Sequence, residues 1–383
     1  MTPFTPAKAS LDIPTESLAG VQCLLARFAR GTAMRVASAM IPTTIRTAVQ
    51  SSYECDRYNR CSTRMTILIA DDALRQRILD HTFPIWNEGL SREAYSRWNE
   101  AQLRTEWGRT HLQRIALVDD SGELLATAKR YRFDVRIDER VGWMCGIGAV
   151  FTPADRRGRG YASRLIERML AEARREGALF ASLFSEIGTA FYERLGFTTL
   201  PLDEVTVGVT RKGGAPAMLV RAGEDRDLVN VAAMHHVRSA GARVALRRSP
   251  ALVQYAIAKK RLLAGLGPAD GRQIEFFVAE EGASAVAYVL LHENANGWTL
   301  EEAGDRDPAG ARLGAMLQAL LAREPHRPAP LIRTWWPRRF TVPPQLELRD
   351  RIDARDVLMV CPLADVAMPI TADDVFYWRS DYF

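Results

Sequence analysis

The chain has 383 residues, of which 47% are apolar and 25% charged, so it can bury a sizeable core and is globular rather than disordered. The formal net charge is only +5, and no lysine-rich block or aromatic-basic pattern is present, which argues against nucleic-acid binding. No apolar stretch reaches the length of about 18 residues that a transmembrane helix requires, so we expect a cytoplasmic protein without a membrane span.

Residues 1–64 form a basic segment, with eight Arg or Lys against four Asp or Glu. The segment lacks a charged start followed by a compact apolar run, so it does not look like a secretory signal. An Arg-rich, acid-poor start is also typical of a transit peptide. We favour the simpler interpretation, which is an N-terminal extension outside the fold.

Regular elements are predicted from Met65 onward, and we assign residues 65–211 to a first domain. The apolar spacing predicts, in order, a strand at 65–69, a helix at 71–81, a turn at 84–89, a helix at 91–107, a hairpin around 119–123 and a long strand at 141–150. Trp86 belongs to the predicted turn, and Tyr95 and Trp98 lie on one face of the helix predicted after it. Core packing and the lining of a substrate cleft explain these aromatic residues equally well.

The segment 145–197 contains the candidate chemistry. An apolar strand ends at Phe151, a turn rich in Arg and Gly spans 155–160, a helix starts at Tyr161, and a second strand spans 178–184. Glycines in a turn that leads into a helix N-terminus suit the binding of a phosphate group, although a solvated surface turn is the simpler alternative. No Gly-Lys-Ser/Thr and no second glycine pair follows, which excludes a Walker loop and a Rossmann fingerprint.

A linker-like stretch at 212–216 precedes a second predicted domain, residues 217–383. Two helices, a hairpin, a strand, a helix and two later strands follow, in the order predicted for the first domain. The equivalent turn at 304–308 is acidic and lacks the Arg-Gly pattern. We therefore interpret this half as a degenerate copy of the first, the alternative being an unrelated α+β domain.

Two motifs make the chain similar to the GNAT superfamily of N-acetyltransferases. Arg157-Gly158-Arg159-Gly160-Tyr161-Ala162 matches the family's Q/R-x-x-G-x-G/A turn, and the segment from Phe191 to Phe197 matches its F-Y-x-x-x-G-F signature. The resemblance implies an α/β (α+β) GNAT fold with a mixed, mostly antiparallel sheet. It also implies that residues 217–383 are a degenerate GNAT-like domain that does not bind CoA.

The same resemblance implies acetyl-CoA as co-substrate. In the family, the strand before the turn holds the thioester and the amides of the turn hold the pyrophosphate. The corresponding residues here are Ala149, Val150, Phe151, Arg156, Arg157, Gly158, Arg159, Gly160, Tyr161, Ala162 and Ser163. The five cysteines are scattered without a C-x-x-C pair, so we expect neither a disulfide framework nor a metal site.

Three residues are candidates for proton transfer. Tyr192 corresponds to the family's general acid, and a phenol with an ordinary pKa of about 10 is protonated at neutral pH; packing beside Phe191 is its alternative role. Glu186, directly after a predicted strand, is one candidate base. The other is the terminal carboxylate of Phe383, which follows an aromatic tail.

Residues 66–197 further resemble the fungal acetyltransferases that modify free L-lysine, on the segments 86–91, 149–153, 157–162 and 183–188. The two-domain layout also resembles the enhanced-intracellular-survival type of aminoglycoside acetyltransferase, which uses its terminal carboxylate as a base. We therefore expect an N-acetyltransferase acting on a small-molecule amine, with a lysine-like amino acid favoured. An antibiotic amine and a CoA-binding sensor without turnover are the alternatives, and self-association stays open.

Overall fold

A computed structural model describes residues 64–210, 217–268, 271–323 and 328–383. The predicted extension at 1–64 thus lies outside the described residues except for Arg64, and the predicted linker at 212–216 lies outside them entirely. Within the described part, no helix is long and apolar enough to cross a membrane.

The first half follows the predicted order of elements. These are β1 (Met65–Ile69), α1 (Asp72–Trp86), α2 (Arg92–Arg104), α3 (Glu106–His111), β2 (Leu112–Asp119), β3 (Leu124–Ile137), β4 (Arg140–Phe151), α4 (Tyr161–Arg175), β5 (Phe180–Ser185), α5 (Ala190–Glu193), β6 (Thr198–Leu200) and β7 (Asp203–Val209).

Two boundaries in this half differ from the prediction. Helix α1 continues through Pro84 to Trp86, because its apolar side chains Phe83 and Trp86 still pack in a core cluster and outweigh a proline cost of about 3 kcal/mol. The helix predicted at 91–107 is two helices. Thr105 is extended and its hydroxyl accepts from the N–H of Gly108, which starts α3 afresh.

The second half contains strands that its sequence pattern did not reveal. Its elements are β8 (Leu219–Ala222), α6 (Leu228–Ser239), β9 (Val244–Leu246), α7 (Pro250–Leu266), β10 (Gln273–Glu281), β11 (Ser284–Asn294), β12 (Gly297–Asp305), α8 (Ala311–Ala322), β13 (Ile332–Thr334), β14 (Leu346–Asp353), β15 (Val357–Pro362) and β16 (Val375–Phe376). Strands β8, β9, β14 and β16 were not predicted, because they are short or lack a buried face with period two.

Two mixed sheets run through the described residues, and they share one topology. The first has the order β1-β2-β3-β4-β5-β15-β6, with β9 and β16 attached beside β3, and the second has the order β8-β10-β11-β12-β13-β7-β14. In each sheet the fourth and fifth strands pair in parallel, and their other main pairings are antiparallel. The predicted fold class, a GNAT fold followed by a second related domain, is therefore confirmed.

The two halves exchange one strand each. Strand β15, from the second half of the sequence, lies between β5 and β6 in the first sheet, and β7, from the first half, lies between β13 and β14 in the second. The predicted domain boundary at 211 therefore does not coincide with the boundary between the sheets. Each half needs a strand from the other to complete its sheet.

Helix α4 packs its apolar stripe against the first sheet. Apolar residues recur at helical spacing along this face, namely Leu165, Ile166, Met169, Leu170 and Ala173, and all are buried. This packing fixes the helix against β4 and β5. The N-terminus of α4 therefore lies at the end of the strand that leads into the glycine turn.

Candidate active site

Strands β4 and β5 separate at the point where the sequence predicts the thioester. They pair only from Met144 to Ile147, and β4 continues to Phe151 without β5 beside it. On its other side, the pairing of β4 with β3 shifts register around Ala149, which has a φ of 47°. A positive φ at a non-glycine residue is uncommon and marks a bulge at a functional place. The backbone of β4 is therefore exposed toward the gap between the strands.

The glycine turn leads directly into the N-terminus of α4. Gly158 and Gly160 have φ values of 75° and 77°, which is the left-handed region, and a β-carbon at either would meet no atom within 4 Å. Glycine is thus needed for the backbone conformation and leaves the surface of the turn open. No side chain caps the first N–H groups of α4. Free N–H groups, the helix dipole and the exposed side chains of Arg157 and Arg159 together suit a pyrophosphate.

The equivalent turn of the second half is filled by its own side chain. Helix α8 also begins after a glycine in the left-handed region, Gly310 with a φ of 71°. Here the Asp305 carboxylate accepts hydrogen bonds from the N–H groups of Asp307 and Leu313, both at 2.8 Å. A carboxylate of the protein therefore already engages the N–H groups at this helix start, and the absence of CoA binding in this half stays a prediction.

A cavity of about 390 Å³ lies beside the bulge and brings five of the predicted site residues together. Its wall includes Ala149, Val150, Glu186, Tyr192 and Phe383. The remaining predicted residues lie outside this wall: Phe151 is buried at the end of β4, and residues 156–163 form the turn and the first turn of α4. The predicted site residues thus fall into two groups, one in the wall of this cavity and one in the glycine turn.

Tyr95 and Trp98 pack in the protein interior and also line the cavity. Tyr95 is buried and bonds the Thr82 hydroxyl at 3.0 Å, and the indole of Trp98 donates to the Lys259 carbonyl at 3.0 Å. Trp86 lines the cavity as well.

Tyr192 lies in the cavity wall on the short helix α5. Its side chain is 6% exposed and packs edge-on against Phe191 and Phe197. Burial raises the pKa of the Tyr192 phenol to about 12. The hydroxyl therefore keeps its proton at neutral pH, which is the state that a general acid requires.

The variant Tyr192→Phe is expected to lower kcat by about 10²-fold, at the low end of the range for general acids, because a thiolate is already a good leaving group. Binding of CoA should change little, because Tyr192 lies in the cavity wall, which does not include the residues of the glycine turn. Single-turnover rates and CoA titrations measure the two effects separately. Unchanged kcat would leave Tyr192 a packing residue.

The last residue of the chain lies against β4. The ring of Phe383 packs on Tyr131, Phe133 and Phe184 with centroid distances of 5.1, 5.0 and 5.4 Å. A β-carbon at Gly146 would lie 3.0 Å from this ring, and one at Gly148 would lie 3.3 Å from the terminal carbonyl oxygen. The two glycines therefore make room for the tail. The terminal carboxyl group lies beside Gly148, the residue that precedes Ala149.

Glu186, the other predicted base, already has a partner. Its carboxylate accepts a hydrogen bond of 2.8 Å from the hydroxyl of Tyr382, and the residue is exposed at the mouth of the cavity. The ring of Tyr382 in turn packs on Phe184 at 4.8 Å. Glu186 is thus engaged in holding the tail, which favours the terminal carboxylate as the base.

A buried polar network anchors the tail that ends in Phe383. Arg248, whose side chain is 2% exposed, forms ion pairs with Glu302 and Asp381. The Ser380 hydroxyl donates to Glu302 at 2.6 Å, and the Asp381 carboxylate accepts from the N–H of Trp378 at 2.8 Å. The second half of the chain therefore fixes the terminal residue in the cavity of the first.

Five basic side chains in the cavity wall were not identified from the sequence: Arg114, Lys129, Lys259, Lys260 and Arg272. They belong to β2, β3, α7 and the loop after α7, so no local motif connects them. Only the sheet register and the packing of α7 bring them to the same cavity.

Comparisons with known proteins bear on the fold and on the class of enzyme. Residues 77–200 match a family model described as an acetyltransferase (GNAT) domain. No curated protein matches the sequence significantly.

Among solved structures, the chain resembles a conserved protein of Enterococcus faecalis V583 described as a probable N-acyltransferase, at a TM-score of 0.59 and 13% identity over 78% of this chain and 72% of that one. The chain also resembles a GCN5-related N-acetyltransferase from Kribbella flavida, at a TM-score of 0.57 and 16% identity over 79% of this chain and 72% of that one. A GCN5-related N-acetyltransferase from Anabaena variabilis is similar to the chain at a TM-score of 0.58 and 11% identity, over 79% of this chain and 73% of that one. At these identities the likeness establishes the fold. The matched family model identifies residues 77–200 as a GNAT acetyltransferase domain, and the chain is accordingly an acyltransferase.

Proposed function

We propose that this enzyme transfers the acetyl group of acetyl-CoA to the amine of a small molecule, and that a lysine-like amino acid is the acceptor. One arrangement carries the proposal: the bulge at Ala149, the Tyr192 hydroxyl and the carboxylate of Phe383 face one cavity. The glycine turn at the N-terminus of α4 binds the pyrophosphate of the donor. Unpaired backbone of β4 lies along its acyl arm.

In the proposed reaction, the carboxylate of Phe383 takes a proton from the incoming ammonium group, which frees the nitrogen lone pair. The nitrogen then bonds to the thioester carbon, and backbone N–H groups near Ala149 stabilise the oxyanion. The C–S bond breaks as the intermediate collapses. Tyr192 gives its proton to the departing thiolate, and the second proton lost by the nitrogen passes through solvent to restore the Tyr192 phenol, so the products are an amide and free CoA.

The choice of acceptor follows from the charge of the cavity wall. Five basic side chains face two glutamates and the terminal carboxylate there. A polycationic aminoglycoside needs an acidic pocket, whereas an amino acid needs a cation for its carboxylate and an acceptor for its amine. The resemblance to the fungal enzymes that modify free lysine points to the same class.

A thiol-release assay with acetyl-CoA against amino acids, polyamines and aminoglycosides tests this proposal. We expect L-lysine to give the largest kcat/KM, and acetyl-CoA alone to raise Tm. Release only with an aminoglycoside would replace the acceptor class. A rise of Tm without thiol release from any amine would instead indicate a CoA-binding sensor.

A further inference from the structure

We infer, on the basis of the proposed function, that Arg114 and Lys129 form a subsite that binds the carboxylate of the acceptor. The acceptor accordingly carries its reactive amine at one end and a carboxylate at the other. The chemical class is an ω-amino carboxylate, of which lysine is one member.

The sheet register places the subsite in line with the reaction centre. Arg114 of β2 is the direct partner of Lys129 of β3, and Lys129 is the direct partner of Gly148 of β4. Residues paired across neighbouring strands project from the same face of a sheet. Strands lie about 4.8 Å apart, so this row spans about 10 Å between backbones. Its Gly148 end is where the terminal carboxyl group lies.

Arg114 is a buried cation without a counter-charge. The residue is 6% exposed, and its Nη1 has no hydrogen-bonding partner among the described residues. No carboxylate of the described residues lies within 4.0 Å of the guanidinium. A buried guanidinium that lacks partners is unfavourable, so an anion that supplies hydrogen-bond acceptors there would be bound favourably.

Two lysine amines lie near Arg114, and burial lowers the pKa of both, so a bound anion would favour their protonated forms. The Lys129 amine donates to the amide oxygen of Gln102 at 3.2 Å, and the Lys259 amine donates to the Tyr382 carbonyl at 3.0 Å. Burial, together with the neighbouring cations Arg114 and Lys259, lowers the pKa of Lys129 well below its ordinary value. Binding of a carboxylate would relieve this repulsion.

The other two cations of the wall are already balanced. Lys260 pairs with Glu301 at 2.8 Å, and Arg272 pairs with Glu88 at 3.8 Å. The unmet positive charge is therefore confined to the part of the cavity beside Arg114. An anion that enters the cavity has one favoured place.

The dimensions of the row suit an ω-amino carboxylate. In extended lysine, six single bonds of about 1.5 Å separate the ε-nitrogen from the carboxyl carbon, a span of about 7 Å along the zigzag. Such a molecule can reach from the terminal carboxylate to the basic pair.

Calorimetric titration in the presence of CoA, which lacks an acetyl group, tests binding without turnover. Two matched pairs are compared: L-lysine with cadaverine, and 6-aminohexanoate with hexylamine. Wild-type enzyme is expected to bind the carboxylated member of each pair at least about 10-fold more tightly, as for hydrogen bonds to a charged group. In Arg114→Met this preference should disappear, whereas Arg272→Met, which removes a cation that is already paired, should retain it.

Two further measurements distinguish the loss of the subsite from misfolding of the variant. Loss of an unpaired buried charge should leave Tm unchanged or raise it, so Arg114→Met should be folded, and Arg114→Lys should keep part of the preference. The subsite would be overturned if the wild type bound both members of each pair equally, or if it bound none of the four compounds. It would also be overturned if Arg114→Met weakened the binding of both members of a pair equally. Selective binding without thiol release from acetyl-CoA would keep the subsite and reject the proposed function.

Discussion

A chain extended by a single glycine after Phe383 is expected to lose about 10³-fold in kcat, within the range of about 10²–10⁴ for a general base. The added residue converts the carboxylate into an amide and moves the new terminus by about 3.5 Å. The aromatic ring is unchanged and keeps its contacts with Tyr131 and Phe133. Stability and CoA binding should therefore stay close to wild type, while the base is lost.

The matched control is Phe383→Leu, which keeps the carboxylate and reduces only the packing of the ring. It should lose far less activity than the extended chain. The pH dependence of kcat further separates the role of the carboxylate from that of the ring. The acidic limb of this profile should change in the extended chain and persist in Phe383→Leu. If the extended chain kept both the kcat and the pH profile of wild type, Glu186 would become the remaining candidate base.

Replacement of Arg248 by Met is expected to destabilise the protein by about 3–5 kcal/mol, the cost of removing one partner from a buried ion pair. Arg248 balances two buried carboxylates, Glu302 and Asp381. Burial lowers the pKa of the Arg248 guanidinium. The two carboxylates outweigh this effect, so the pKa lies above its ordinary value. Denaturant unfolding at neutral pH measures the loss.

The deficit should depend on pH in a defined direction. Burial raises the pKa of Asp381 even with Arg248 present, and removal of the cation should raise it further. A group with a folded-state pKa above its unfolded value stabilises the fold below the unfolded pKa, which is about 4 for Asp, and loses that contribution as the pH rises. The difference between variant and wild type should therefore be smallest at acidic pH.

The Arg248 variant should also lose activity in the folded state, because Arg248 anchors the segment that ends in the carboxylate proposed as the base. The control is Arg221→Met, which breaks the pair with the buried Asp227 outside the cavity and should lower stability without lowering kcat. Combined with the terminal glycine, Arg248→Met should lower kcat no further. Additive effects would limit Arg248 to a structural role.

The conformation of the glycine turn is determined by residues that are neighbours in the sequence. Gly158 and Gly160 adopt the left-handed backbone that their sequence suggests, and α4 begins at the predicted Tyr161. Both properties are set within a few residues, by the backbone freedom of glycine and the apolar spacing of the helix. The bulge at Ala149 is different, because a register shift depends on the partner strand.

The second half shows what neighbouring residues cannot determine. The sequence predicted most of its elements, but β7 and β15 are exchanged between the sheets. Each strand has an apolar pattern that fits either sheet, so only the assembled packing selects the partner. Similarly, Glu186 and Tyr382 are far apart in the chain and form a hydrogen bond through the fold.

By itself the sequence determined the class of chemistry, because a turn, a helix start and the short segment around Tyr192 are encoded over consecutive residues. Only the tertiary structure decided what surrounds the reaction. It brought Arg114 and Lys129 into the wall of the cavity that also contains Phe383, and it paired Arg248 with Asp381 of the tail. These side chains come from separate elements whose distances depend on strand register and burial, and neither quantity can be read from local spacing.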